Sequence, residues 1–233
     1  MLKLYTYELV DDETFISFHR KYASKIPQTI YEGMTRYKFP QDQQRYFIGQ
    51  LMVRCFYSEL LKIPMQSVEF EYNEQEKPFL KNNQEQFFNI SHSGAYVVVC
   101  YSDRPVGVDV ECIKKDRRKV AERFFTPQEI NDIHQQESEE QQISYFYRLW
   151  TLKESYMKAV GDGMTMSLSS FSIIKASTDG FVVQSDEYPT DWHLFSTPWN
   201  HDSFLSICSK YNAAPEKNFL SLDLMANKIR GYK

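Results

Sequence analysis

The chain has 233 residues, enough for one large domain or two small ones, and long enough to build a core without disulfides or a structural metal. Its 42% hydrophobic and 25% charged residues exclude a disordered, collagenous or coiled-coil chain. A net charge of -4 argues against a general nucleic-acid binder, and no apolar run approaches the ~18 residues of a membrane span.

Met1 to Tyr5 alternates like a strand and carries no signal-peptide apolar block, so a cytoplasmic protein is expected. Asp12 to Tyr22 predicts a short helix. Asp42 is a candidate cap for a longer one, whose apolar residues Ile48, Leu51, Met52, Cys55, Phe56 and Leu60 recur at helical spacing before Pro64. Strands are predicted at Val68 to Tyr72, Phe87 to Ile90, Tyr96 to Tyr101 and Val106 to Glu111. Thr126-Pro127-Gln128-Glu129 reads as a capping box with proline at the first helical position. A long helix should then reach Val160 and stop at Gly161-Asp162-Gly163. Four antiparallel strands follow, at Phe171 to Ile174, Phe181 to Gln184, His193 to Ser196 and Leu205 to Ser209. Strand, helix and strands, twice over, is an α+β pattern of two halves, 1–104 and 105–233. Cys55, Cys100, Cys112 and Cys208 show no metal or redox spacing and read as buried free thiols.

Three groups of residues carry chemistry. In Val106-Gly107-Val108-Asp109-Val110-Glu111, the period of two puts Asp109 and Glu111 on one strand face. Alone this is either a solvated strand face or an all-oxygen cation site suited to Mg²⁺ or Mn²⁺. Trp150, Lys153, Glu154 and Lys158 are spaced to form one helical stripe, read as a surface ion pair or, opposite the two acids, as a third carboxylate and two cations around a phosphate. In Phe88-Asn89-Ile90-Ser91-His92-Ser93-Gly94, neighbours on a strand point apart, so His92 cannot easily activate Ser91. A polar corner donating to a phosphate fits better than acyl hydrolysis.

The order Lys77-Pro78, Phe88-Asn89-Ile90-Ser91-His92-Ser93, Gly107-Val108-Asp109-Val110-Glu111, Phe124-Phe125, Trp150-Thr151-Leu152-Lys153-Glu154-Ser155 resembles the Sfp-type 4′-phosphopantetheinyl transferases over almost the whole chain. The resemblance implies a pseudo-twofold fold of two similar α+β halves with coenzyme A between them. The implied reaction moves the phosphopantetheine arm of coenzyme A onto a serine of an acyl or peptidyl carrier protein and releases adenosine 3′,5′-bisphosphate. It implies Asp109, Glu111 and Glu154 as ligands of Mg²⁺, with Mn²⁺ as the alternative, and Glu154 as the base. Lys153 and Lys158 then contact the pyrophosphate, and Lys77, Pro78, Ser91 and His92 contact coenzyme A. Arg45 lies near its 3′-phosphate. One departure is that residues 26–35 hold no Lys or Arg, where the family often has basic residues for that phosphate. Phe124-Phe125 reads as a carrier-docking surface or as core. A monomer is expected, acting on neither nucleic acid nor membrane. The competing readings are a non-catalytic module that binds coenzyme A or a carrier, and a metal-dependent nuclease.

Overall fold

The computed structural model describes residues 1–161, 163–178 and 180–231. In chain order the elements are β1 (Leu2–Glu8), α1 (Asp12–Lys21), α2 (Gln28–Met34), α3 (Pro40–Leu61), β2 (Phe70–Tyr72), β3 (Pro78–Leu80), β4 (Phe87–Ser93), β5 (Tyr96–Ser102), β6 (Val106–Cys112), α4 (Ala121–Phe124), α5 (Pro127–His134), α6 (Glu139–Val160), β7 (Ser172–Lys175), β8 (Gly180–Gln184), β9 (His193–Trp199), β10 (Ser203–Ser209), β11 (Glu216–Phe219) and α7 (Leu222–Gly231).

Two helices of 22 residues, α3 and α6, each back one sheet. The first sheet has the order β11-β1-β5-β4, the second β6-β10-β9-β8-β7, and β2-β3 form a small hairpin. The α+β expectation of two halves built alike is met: strand, long helix, antiparallel strands. The α6 helix starts on Ser138, whose hydroxyl accepts from the Gln141 amide, and carries Glu139 and Glu140 in its first turn, where the helix dipole favours acids. It ends on Gly161 at φ +91°, a left-handed cap open to glycine. Asp162 of the predicted stop lies outside the described residues. The start of α3 differs from expectation. Phe39 is the cap and Pro40 opens the helix, while Asp42 sits inside the first turn.

Each half has its own apolar core, and a third cluster joins them. Leu4, Val98 and Cys100 of the first sheet pack on Val106, Val108, Val110, Leu205 and Ile207 of the second. The tail departs from the predicted halves. β11 pairs in parallel with β1, from Lys3↔Glu216 to Thr6↔Phe219, and α7 buries Met225, Ala226 and Ile229 in the first core. Residues 216–231 therefore belong in space with the first half. All four cysteines are free and buried. Among the described residues no helix is long and apolar enough to cross a membrane.

Candidate active site

The two sheets meet where β4 runs beside β6. No backbone ladder joins these strands. Instead the side chains on one face of β4 take the place of a partner strand. Asn89 Oδ1 accepts from the Val108 amide (2.9 Å), Ser91 Oγ from Val110 (3.3 Å) and Ser93 Oγ from Cys112 (3.1 Å). A constant offset of 19 residues makes this a parallel lacing that satisfies the exposed amides of β6. Both serines also donate. Ser91 Oγ gives its proton to Asp109 Oδ1 (2.8 Å) and Ser93 Oγ to Glu111 Oε2 (2.8 Å). Asn89-x-Ser91-x-Ser93 was a readable alternation, but only the facing Asp109-x-Glu111 gives it meaning. Sequence reasoning missed Asn89 and Ser93.

Gly107 shares a strand face with Asp109 and Glu111, and α6 lies against that face. A Cβ on Gly107 would stand 2.0 Å from the Ser155 carbonyl oxygen and 2.5 Å from the Ala159 nitrogen. Only glycine lets the helix come this close, and the approach brings Glu154 and Lys158 to the acids. Lys158 Nζ lies 2.5 Å from Asp109 Oδ1 and 3.4 Å from Ser91 Oγ. Asp109 is buried, and its Oδ2 has no hydrogen-bond partner.

The electrostatics follow from three carboxylates in a half-buried cleft. Burial pushes the Glu154 carboxyl up to about 7, with Asp109 and Glu111 adding and Lys158 opposing. Glu111 is raised by burial, with Ser93 opposing and Asp109 adding. For Lys158 burial works against the charge, yet Asp109, Glu154 and Glu111 outweigh it and the ammonium is held more firmly than usual. Lys158 thus sets a cation of the chain itself among the three acids. Two cavities flank the cluster. One of about 500 Å³ is lined by Glu111, Lys115, Arg117, Phe146, Tyr147 and Trp150. The other, about 190 Å³, is lined by Lys77, Pro78, Asn89, Met157 and Lys158.

Asp109, Glu111, Glu154, Lys158 and Ser91 are thus brought together. His92, the next residue on β4, is exposed, with its pKa lowered by the surrounding protein and by Arg45. Pro78 opens β3 opposite Tyr72. Arg45 is already engaged: Nε donates to the Gly94 carbonyl (2.8 Å), one terminal nitrogen binds Asp42 and the other reaches Gln41 (3.3 Å). Any phosphate at Arg45 must compete with Asp42. Gly49 makes room for Ile90 and Val97 of the sheet rather than for a ligand at Arg45.

Two expectations need correction. Lys153 does not face the cleft. Its ammonium is fully buried, paired with Glu129 Oε2 (2.9 Å) and bonded to the carbonyls of Leu168 (2.8 Å) and Phe171 (2.6 Å). Consecutive helical residues diverge by about 100°, so Lys153 leaves the stripe that Glu154 and Lys158, four apart, share. The Lys77 ammonium likewise is bound to protein, donating to the carbonyls of Lys158 (2.5 Å) and Ala159 (3.3 Å). Phe125 is core, stacked on Phe146, and Phe124 packs edge-on to Trp150.

Residues 105–213 match the 4′-phosphopantetheinyl transferase superfamily, and residues 17–104 match the 4′-phosphopantetheinyl transferase N-terminal family. The chain belongs to the 4′-phosphopantetheinyl transferase superfamily. Among its relatives, the 4′-phosphopantetheinyl transferase gsp of Aneurinibacillus migulanus is 36% identical over 165 residues, covering 71% of this chain and 68% of the relative. The 4′-phosphopantetheinyl transferase Sfp of Bacillus subtilis strain 168 is 32% identical over 163 residues, covering 70% and 69%. The alignments thus span about two thirds of each relative's length. This is a family of enzymes that transfer phosphopantetheine from coenzyme A to carrier proteins, and Ser91, Asp109, Glu111, Glu154 and Lys158 of this transferase meet at the seam between β4, β6 and α6.

Proposed function

We propose that this transferase moves the 4′-phosphopantetheine arm of coenzyme A onto a serine of an apo acyl or peptidyl carrier protein, releasing adenosine 3′,5′-bisphosphate, and does so at the β4–β6–α6 seam. The observation that carries the reading is the meeting of Asp109, Glu111 and Glu154 around the ammonium of Lys158.

The residues fit a hard divalent cation. All donors are oxygens, as Mg²⁺ prefers. Asp109 Oδ2 is buried without a partner, and Glu111 and Glu154 are both destabilised as anions. Among the described residues no three such side chains stand close enough together to hold a metal ion, so the three acids would have to draw in around it, with substrate and water completing the shell. Asp109, Glu111 and Glu154 would hold Mg²⁺. When bound, the ion would neutralise charge on the pyrophosphate of coenzyme A.

The chain's own groups supply the rest. Lys158 places an ammonium beside the pyrophosphate, where negative charge builds as the carrier serine oxygen bonds to the β-phosphorus and the bridging oxygen leaves with adenosine 3′,5′-bisphosphate. A serine hydroxyl is a weak nucleophile and must give up its proton as it attacks. Glu154 takes it; its pKa near 7 belongs to the metal-free cleft, and a cation held beside it would lower that value. Ser91 and Ser93 hold the two neighbouring acids in place. The test is mass spectrometry of an apo-carrier incubated with enzyme, coenzyme A and Mg²⁺. A gain of one phosphopantetheine is expected, and an unmodified carrier across acyl and peptidyl types overturns the reading.

A further inference from the structure

The hairpin between β2 and β3 belongs to the first half, yet its tip is docked on the end of α6 in the second. Asn73 organises the tip. Its Oδ1 accepts from the amides of Gln75 (3.0 Å) and Lys77 (2.8 Å), and its own amide donates to the Lys77 carbonyl (3.1 Å). This leaves Asn73 Nδ2 and Lys77 Nζ free to reach outward. Asn73 Nδ2 donates to the Gly161 carbonyl (3.2 Å), and Lys77 Nζ to the carbonyls of Lys158 (2.5 Å) and Ala159 (3.3 Å).

The last carbonyls of a helix lack intrahelical donors and carry its negative partial charge, so an ammonium is the group they suit best. The fit is close on the apolar side too. A Cβ on Gly161 would meet Lys77 Cδ at 3.4 Å, and one on Gly163 would meet Gln75 Cβ at 3.0 Å. Both glycines have positive φ.

Lys158 is the residue that links this clamp to chemistry. Its carbonyl is held by Lys77, while its ammonium lies 2.5 Å from Asp109 Oδ1 on β6. Resting on the functional reading above, we propose that Lys77, with Asn73, is a positioning residue: its ammonium fixes the last turn of α6 across the two halves and thereby sets where the Lys158 ammonium stands, rather than binding coenzyme A itself. The 190 Å³ cavity lies between the hairpin and α6, with Lys77 and Lys158 both in its lining.

A double-mutant cycle separates this role from a direct substrate contact, because residues acting through one another couple and independent ones add. In the wild-type background Lys77→Met should lower kcat/KM by about tenfold or more, and in a Lys158→Met background by less than about threefold. Amide exchange at residues 158–161 should speed up in Lys77→Met. If Lys77→Met unfolds the chain, Asn73→Ala runs the same cycle without removing a buried cation. A full loss that persists in the Lys158→Met background shows direct contact with coenzyme A and overturns the proposal. So does wild-type kcat/KM in Lys77→Met. Wild-type transfer, measured alongside, tests the functional reading separately.

Discussion

Replacing Lys153 by methionine should cost the enzyme its stability rather than its affinity for coenzyme A. The Lys153 and Glu129 side chains are both 0% exposed and 2.9 Å apart. Each is fully used. Lys153 also donates to the Leu168 and Phe171 carbonyls, and Glu129 also accepts from the Thr126 and Ile173 amides. The pair therefore ties α5, α6 and the start of β7 together. Burial lowers the Lys153 pKa, with Glu129 opposing, which is the signature of a charge kept inside by its partner. Removing one member strands a buried carboxylate, which costs about 3–5 kcal/mol. For a chain of this size each kcal/mol moves Tm by about 2–4 °C, so Lys153→Met should melt roughly 6–20 °C lower. The assay is urea and thermal unfolding beside calorimetric titration with coenzyme A. Near wild-type stability with coenzyme A binding lost by tenfold or more, about 1.4 kcal/mol, would show that Lys153 reaches the pyrophosphate after all, and the buried-pair argument would be wrong.

Three further outcomes follow from the cleft. Asp109→Asn should abolish transfer and also lower Tm, since it takes the buried partner from the Lys158 ammonium; turnover near wild type removes Asp109 from the ion. In chelator, Glu154 has a folded pKa of about 7 against an ordinary 4.5, so the folded state binds the extra proton. That stability is fully present below about pH 4.5 and is lost as pH rises through 7, by at most about 3 kcal/mol before screening. Glu154→Gln should therefore gain on wild type between pH 5 and pH 8 in urea titrations, and a gap that narrows would contradict the sign. Asp42→Asn should free Arg45 and raise the preference for coenzyme A over dephospho-coenzyme A, read as a ratio of kcat/KM values. An unchanged ratio would place the 3′-phosphate elsewhere.

Most of the strands, both long helices and the capping box were legible because each is written in local periodicity. Asp109 and Glu111 could be placed on one face from the letters alone, and Glu154 and Lys158 on one stripe. The errors lie where a side chain's direction is decided by what surrounds it. Lys153 sits one residue from Glu154, and its spacing from Trp150 is a helical one, but the buried Glu129 carboxylate and the Leu168 and Phe171 carbonyls on the far side draw it inward. Lys77 beside a proline looks like a free cation until the end of α6 is beside it. The strand β11, Glu-Lys-Asn-Phe, has no apolar alternation to announce it. Its place depends on pairing with Lys3 to Thr6 from the opposite end of the chain.

The seam explains why the two halves must act together. The acids of β6 belong to the second half, but the hydroxyls that orient them, Ser91 and Ser93, belong to the first. The same hydroxyl oxygens satisfy the Val110 and Cys112 amides of β6, so the strand cannot slide along β4 without breaking the hold on Asp109 and Glu111. Asn73 and Lys77 of the first half grip the end of α6, which carries Lys158 to Asp109 from the opposite direction. Asp109 is thus held between one contact from β4 and one from α6, and its buried Oδ2 is left without a partner. A change in the spacing of the halves alters both contacts at once. The position of the acids is therefore a property of the joined halves and of neither alone, which accounts for a site built across a seam rather than within one sheet.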